Sequence, residues 1–162
     1  MVGALTAMLA VVVSAAWTGV GRPAADVIVR GQLYQEMDLA AAALTRDLSG
    51  GLANPEGRLG GKTQGCWVGW MQPAVGQLWL CFDGGDNPNG VADWGPPDTV
   101  VLYQLSGDTL VRWDWTAGTT FTVARNVTAF QVSAFGGDQV QIQLTFSARQ
   151  ITRSCTLIAR IP

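Results

Sequence analysis

The loop DGGDNPNGVADW, which spans residues 83–94, concentrates the side chains of this chain that are best suited to bind a metal ion. Asp83, Asp86 and Asp93 supply carboxylates, and two asparagines add amide oxygens. Calcium takes hard oxygen ligands of this kind. The spacing is not that of an EF-hand, and Asp, Asn and Gly are also the residues that tight turns require. We therefore favour a solvated turn and keep the three aspartates as calcium candidates.

The three cysteines raise the question of a disulfide or a second metal site. Cys66 and Cys81 fall on neighbouring predicted strands, so they can pair if the register places them opposite each other. An extracytoplasmic location would favour that bond. We expect Cys155 to act as a small buried hydrophobe, and its pairing with either of the other two stays open. Three thiols in a chain without histidine match none of the usual zinc patterns.

Few residues of this sequence could support catalysis. The chain has no histidine, the commonest general base, so a nucleophile would have to rely on Lys62 or a carboxylate. The segment GGKT lacks the earlier glycine of a phosphate-binding loop, because that position holds Glu56. The net charge is −2 and there is no basic cluster. We expect no enzymatic activity, no cofactor, no small-molecule substrate and no nucleic-acid partner.

Twenty-one residues without a charged side chain precede Arg22. A helix of that length spans about 30 Å, the thickness of a membrane's hydrocarbon core. No positive region precedes the run, which argues against a secretory signal peptide. We predict a membrane-spanning helix that continues as an amphipathic one and ends near the SGG at residues 49–51. The predicted apolar stripe contains Leu33, Met37, Ala40, Ala41, Leu44 and Leu48.

Alternation with a period of two dominates from Cys66 onward and predicts antiparallel strands with one solvent-exposed face. In VQIQLTF, for example, the apolar residues from Val140 to Phe146 point inward and the two glutamines point outward. Most of the seven tryptophans are expected in the core, although an exposed row could contact a sugar or another subunit. The predicted organisation is a helix over residues 1–49, a loop over 50–65 and an antiparallel sheet domain over 66–162.

Several motifs in this sequence are shared with a known family. A Y-x-L-x-G-x-x-L-x-R hairpin runs from Tyr103 to Arg112, V-x-x-F-x-V runs from Val127 to Val132, and a final strand ends at Arg160. LTRDL, at residues 44–48, precedes them at the end of the predicted helix. With these motifs the chain resembles the type IV pilin-like proteins, in particular the minor pilins and the J-type minor pseudopilins of type II secretion.

This resemblance implies an α+β, pilin-like fold in which the long N-terminal helix packs on an antiparallel β-sheet. It implies a structural subunit of a type IV pilus or type II pseudopilus that initiates or caps a filament and meets other pilin-like subunits through its helix. The implied location is a single pass through the inner membrane, with the sheet domain extracytoplasmic and filament-associated after assembly.

One part of the family's pattern is missing. The basic prepilin leader and the first residues of the mature helix are absent, so we expect Met1 to be an internal methionine. The alternative interpretation is a membrane-anchored extracytoplasmic binding domain that contacts glycans or calcium.

Overall fold

A computed structural model describes residues 11–15, 21–48, 67–84, 89–136 and 139–160 of the 162-residue chain. Its elements are the helices α1 (residues 11–15) and α2 (Arg22–Leu48) and the strands β1 (Trp67–Met71), β2 (Gln77–Phe82), β3 (Thr99–Ser106), β4 (Thr109–Asp114), β5 (Thr119–Ala124), β6 (Val127–Phe135), β7 (Gln139–Ala148) and β8 (Ile151–Arg160).

The described strands form two antiparallel sheets. The first has the order β1-β2-β3-β4-β5 and the second the order β6-β7-β8. Each strand pairs with its neighbour in the sequence, because short connections can join antiparallel strands directly. The turn between β3 and β4 contains Gly107 with a φ of 64°, a left-handed conformation that glycine adopts without steric cost.

The predicted fold class is wrong. We expected an α+β fold in which a long helix packs on an antiparallel sheet, whereas the structure is a β-rich fold with two sheets, and strands make up 49% of the described residues. Alternation along a strand shows which side chains face inward, but it carries no information on where one sheet ends and the next begins. Strand β5 was also not predicted, because its first four residues are exposed and show no apolar alternation.

Helix α2 joins the two sheets through one apolar stripe. It contacts β5 of the first sheet and both β7 and β8 of the second. Its buried apolar residues recur at intervals of four or seven and are Val29, Leu33, Ala40, Leu44 and Leu48. The predicted stripe is therefore confirmed, with Met37 partly buried against the same core.

The core also confirms the predicted alternation in β7. Its four inward residues, Val140, Ile142, Leu144 and Phe146, have no exposed surface. The second strand of the pair, β8, presents Cys155 and Leu157 to the same core, where they are only partly buried. Burial is weaker there than on β6, the other edge strand of the same sheet, where Val127, Phe130 and Val132 are buried.

The predicted membrane span lies mostly outside the described residues, which include only residues 11–15 and 21 of the opening apolar run. Within the described part of the chain, no helix is long and apolar enough to cross a membrane. Helix α2 ends at Leu48, close to the predicted end of the helix, and the predicted loop over 50–65 is outside the described residues.

Candidate functional site

A buried polar cluster lies where helix α2 meets the first sheet. The Oδ2 atom of Asp47 accepts a hydrogen bond from the Tyr103 hydroxyl at 2.7 Å and another from the Arg112 Nε at 2.6 Å. Asp47 and Tyr103 have no exposed surface, and Arg112 is 7% exposed. The Tyr103 hydroxyl also lies 3.3 Å from the carbonyl oxygen of Ala43, one helical turn before Asp47. We call these three side chains the Asp47 cluster.

Local structure explains why these residues meet. Asp47 lies three positions after Leu44 and one before Leu48, so it shares the buried face of α2. Tyr103 and Arg112 are direct register partners on the adjacent strands β3 and β4, so both point to the same face of the sheet. The cluster therefore ties the last turn of the helix to the centre of the first sheet.

The electrostatics of the cluster keep Tyr103 neutral and Arg112 charged. Burial alone would lower the pKa of Arg112, but the charge of Asp47 and its hydrogen bond outweigh this and raise the pKa above its usual value. Burial raises the pKa of Tyr103, and the neighbouring Asp47 charge raises it further. A permanently charged guanidinium and a neutral phenol are suited to holding a carboxylate, which is a structural task.

The sequence analysis did not identify this cluster. Arg112 entered only as the last residue of the hairpin motif and Asp47 only as part of the LTRDL motif, and neither was assigned a partner. The sequence nevertheless indicated a buried charge, because Asp47 is an acidic residue inside an otherwise apolar helical stripe. A charge in that position requires a buried partner of opposite sign.

Two of the calcium candidates form hydrogen bonds within their own loop. Asp83 accepts the backbone N–H groups of Asn89 at 3.2 Å and Gly90 at 2.6 Å, one with each carboxylate oxygen. Asp93 accepts the side-chain amide of Asn89 at 3.2 Å. Asp86 lies outside the described residues, and the described residues contain no group of three side chains able to hold a metal ion. The solvated turn stays the favoured prediction, and the three aspartates stay calcium candidates.

Asp98 accepts hydrogen bonds at the base of the same loop, and it was not among the predicted site residues. It is 1% exposed. Its carboxylate accepts the thiol of Cys81 at 3.2 Å, the backbone N–H of Gly84 at 3.1 Å and that of Asp93 at 2.9 Å. A buried carboxylate with three donors is stabilised where it lies.

The cysteines have different surroundings. Burial raises the pKa of Cys81 to about 12, so its thiol is a hydrogen-bond donor and is not reactive at neutral pH. Cys81 faces Gly69 in the strand register, while Cys66 lies outside the described residues, so their predicted disulfide stays a prediction. Burial also raises the pKa of Cys155.

The tryptophans whose side chains are described do not fill the core. Trp79, Trp113 and Trp115 form a cluster on the outer face of the first sheet, with ring centroids 5.5 Å apart for Trp79 and Trp115 and 4.6 Å apart for Trp113 and Trp115. Trp115 is 50% exposed, and Trp70 is partly buried against the core. The expectation that most tryptophans are core residues is wrong for this described set, because alternate positions of β2 and β4 point away from the helix.

The described residues thus contain the Asp47 cluster and a loop whose aspartates hydrogen-bond within the loop itself. Every buried side-chain nitrogen or oxygen among the described residues has a hydrogen-bond partner. Comparison with known proteins found no matching protein family, no matching curated protein and no matching solved structure.

Proposed function

We propose that this chain is a structural subunit of a filament, a minor pilin or pseudopilin of the type IV pilin-like class, which joins other subunits through its N-terminal helix. The observation that carries the proposal is the outward surface of α2. Large apolar side chains stand there with more than half of their surface exposed: Val27 at 67%, Ile28 at 63%, Tyr34 at 51% and Leu39 at 57%.

These exposed side chains form two rows. Val27 and Tyr34 are seven positions apart, and Ile28 and Leu39 are eleven positions apart, so each pair lies along one side of the helix. The exposed residues between the two rows include the small Ala24, Gly31 and Ala42, together with the polar Gln35 and Asp38. Small residues flanked by larger apolar ones allow another helix to approach closely, which is how helices associate in membranes.

Gly31 is the most informative of the small residues. A Cβ atom added at Gly31 would meet no atom within 4 Å, so the described fold does not need glycine at this position. Glycine inside a helix costs about 1 kcal/mol relative to alanine. A close contact with a second helix would give this position a reason to remain glycine.

The Asp47 cluster supports the same proposal from the other side of the helix. Its members belong to two of the motifs on which the resemblance rests, Asp47 to LTRDL and both Tyr103 and Arg112 to the hairpin motif. In a subunit that assembles through its helix, the helix must be held against the domain that the subunit displays. A buried ion pair links helix and sheet, because removal of either partner alone leaves an uncompensated buried charge.

The proposal is tested by purifying the full chain from its native membranes and identifying the pilin-like proteins that accompany it. Gly31→Leu should reduce their recovery about tenfold, because over-packing of a close helix contact costs about 1–3 kcal/mol. Gly31→Ala is the matched control and should retain most of the recovery. If Gly31→Leu recovers as much as the unaltered chain, or if no pilin-like protein accompanies the chain, the proposal is wrong.

A further inference from the structure

Two adjoining grooves lie beneath the connection between β1 and β2, on the side of the molecule away from α2. They enclose about 250 Å³ and 360 Å³ and share Val75 and Gln131. Val75, at the tip of the connection, is 91% exposed and overhangs them. Six glutamines line the pair: Gln72, Gln77, Gln104, Gln131, Gln141 and Gln143. We call these two spaces the glutamine groove.

Strand register explains why the glutamines gather here. Gln131 on β6 lies opposite Gln143 on β7, and Ser133 lies opposite Gln141. Because β7 buries its apolar residues against the core, its glutamines must face outward. Gln77 on β2 faces Gln104 on β3 in the same way, and the amide nitrogen of Gln77 donates to the amide oxygen of Gln104 at 3.3 Å.

The chemistry of the groove is polar but uncharged. The described lining residues are glutamines, Ser133, Thr128 and apolar residues, and none of them carries a charge. A side-chain amide offers both donors and an acceptor, which matches the hydroxyl groups of a sugar, since each hydroxyl also donates and accepts. A phosphate, sulfate or carboxylate would find no counter-charge here, so this lining favours a neutral ligand.

The tryptophan cluster continues from the groove along the outer face of the first sheet. The indole N–H of Trp79 donates to the amide oxygen of Gln77 at 3.3 Å, so the two features are directly connected. Trp115 contacts Trp79 and stands half-exposed. An exposed indole presents a broad apolar face, and the C–H faces of sugar rings can pack on such a surface.

We propose that the glutamine groove and the adjoining tryptophan cluster bind a neutral oligosaccharide. The amides of Gln131 and Gln143 hydrogen-bond its hydroxyls, and Trp115 packs against one of its rings. Two adjoining grooves joined to the tryptophan cluster through the Gln77–Trp79 contact fit a chain of sugars better than a single sugar. This function goes beyond filament assembly and does not depend on it, because the groove lies on the side of the fold away from α2.

The test begins with a glycan array that carries neutral, sialylated and sulfated oligosaccharides. The array is probed with the full chain in a detergent that has no sugar head group. Chitotetraose and cellotetraose then serve as soluble neutral probes in titration calorimetry. Among the array members we expect neutral oligosaccharides to bind in preference to charged ones.

Three variants locate the site. Gln131→Ala and Gln143→Ala should each weaken binding about 3- to 10-fold, because each removes one hydrogen bond worth about 0.5–1.5 kcal/mol. Trp115→Leu should weaken binding at least as much. The control is Gln35→Ala, which changes an exposed glutamine on α2 and should leave affinity unchanged.

The proposal is overturned if no neutral oligosaccharide on the array binds, or if only charged glycans bind. It is also overturned if none of the three variants weakens the binding of a neutral oligosaccharide. Gln131 and Gln143 are both exposed, so their removal should leave the melting temperature nearly unchanged. A loss of binding with an unchanged melting temperature therefore reports on the site and not on folding.

Discussion

Breaking the Asp47 cluster should destabilise the fold more than any change on the helix surface. Arg112→Met leaves the Asp47 carboxylate fully buried, with the Tyr103 hydroxyl at 2.7 Å as its remaining close donor from the sheet. Removal of one partner of a buried ion pair costs about 3–5 kcal/mol where the other charge is left without compensation. Arg46, whose Nε lies 3.3 Å from the Asp47 Oδ1 atom, remains as a second cation, so we expect a loss near the lower end of that range in the free energy of unfolding. Tyr103→Phe should cost less, about 1.5–3 kcal/mol, since it removes one hydrogen bond to a charged group.

The double variant Asp47→Leu with Arg112→Met separates pairing from packing. Both charges are then absent, so no uncompensated charge is buried, and replacement of a whole ion pair by apolar residues is often nearly neutral. The Tyr103 hydroxyl keeps an acceptor in the Ala43 carbonyl at 3.3 Å. The double variant should therefore be more stable than Arg112→Met alone, with a coupling energy of about 3 kcal/mol or more.

The assay is urea unfolding of the full chain, in a detergent without sugar head groups, followed by circular dichroism. Asp38→Asn is the control, because Asp38 is exposed on the same helix and should change stability by no more than about 0.5 kcal/mol. The reasoning is refuted if Arg112→Met lowers the free energy of unfolding by less than about 1 kcal/mol. It is also refuted if the double variant loses as much stability as Asp47→Leu and Arg112→Met lose in sum.

Three further predictions concern other parts of the molecule. Gly31→Ala should raise the free energy of unfolding by about 0.5–1 kcal/mol, measured by urea unfolding, and a loss of stability would contradict the open surroundings of Gly31. Burial raises the pKa of Cys81 to about 12 in the fold, whereas an unfolded thiol ionises near its ordinary value of 9.0. Stability should therefore fall between those pH values by up to about 1.4 kcal/mol per pH unit, and Cys81→Ala, measured over the same range, should show a shallower fall. Calcium at millimolar concentration should leave the melting temperature unchanged, because both carboxylate oxygens of Asp83 already accept backbone N–H groups. A rise in melting temperature that Asp83→Asn abolishes would show that the loop is a calcium site.

Features set by local periodicity could be predicted from the sequence. The inward residues of β7, the hairpin around Gly107 and the buried stripe that contains Leu33 and Leu44 all lie where their spacing indicates. In each case the information is confined to a few neighbouring residues, so a period of two or of about 3.6 is enough to determine the buried face.

Features set by contacts distant in sequence could not be predicted. The division into two sheets depends on which strands pair, and alternation is the same in either arrangement. Asp47 and Arg112 are 65 positions apart, and neither residue's immediate neighbours identify the other as its partner. The glutamine groove likewise needs the connection between β1 and β2 to lie over β6 and β7, although the outward direction of Gln141 and Gln143 was itself predictable.

The proposal that this chain assembles with others through α2 is tested most directly by photo-crosslinking in native membranes. Photoreactive benzoylphenylalanine would replace Leu39, which is 57% exposed on α2, and, as a control, Val91, which is 58% exposed on the loop before β3. We predict that the probe at residue 39 yields a cross-linked species containing a pilin-like subunit and that the probe at residue 91 does not. Cross-linking that is absent at residue 39, or equal at the two positions, would contradict assembly through this helix.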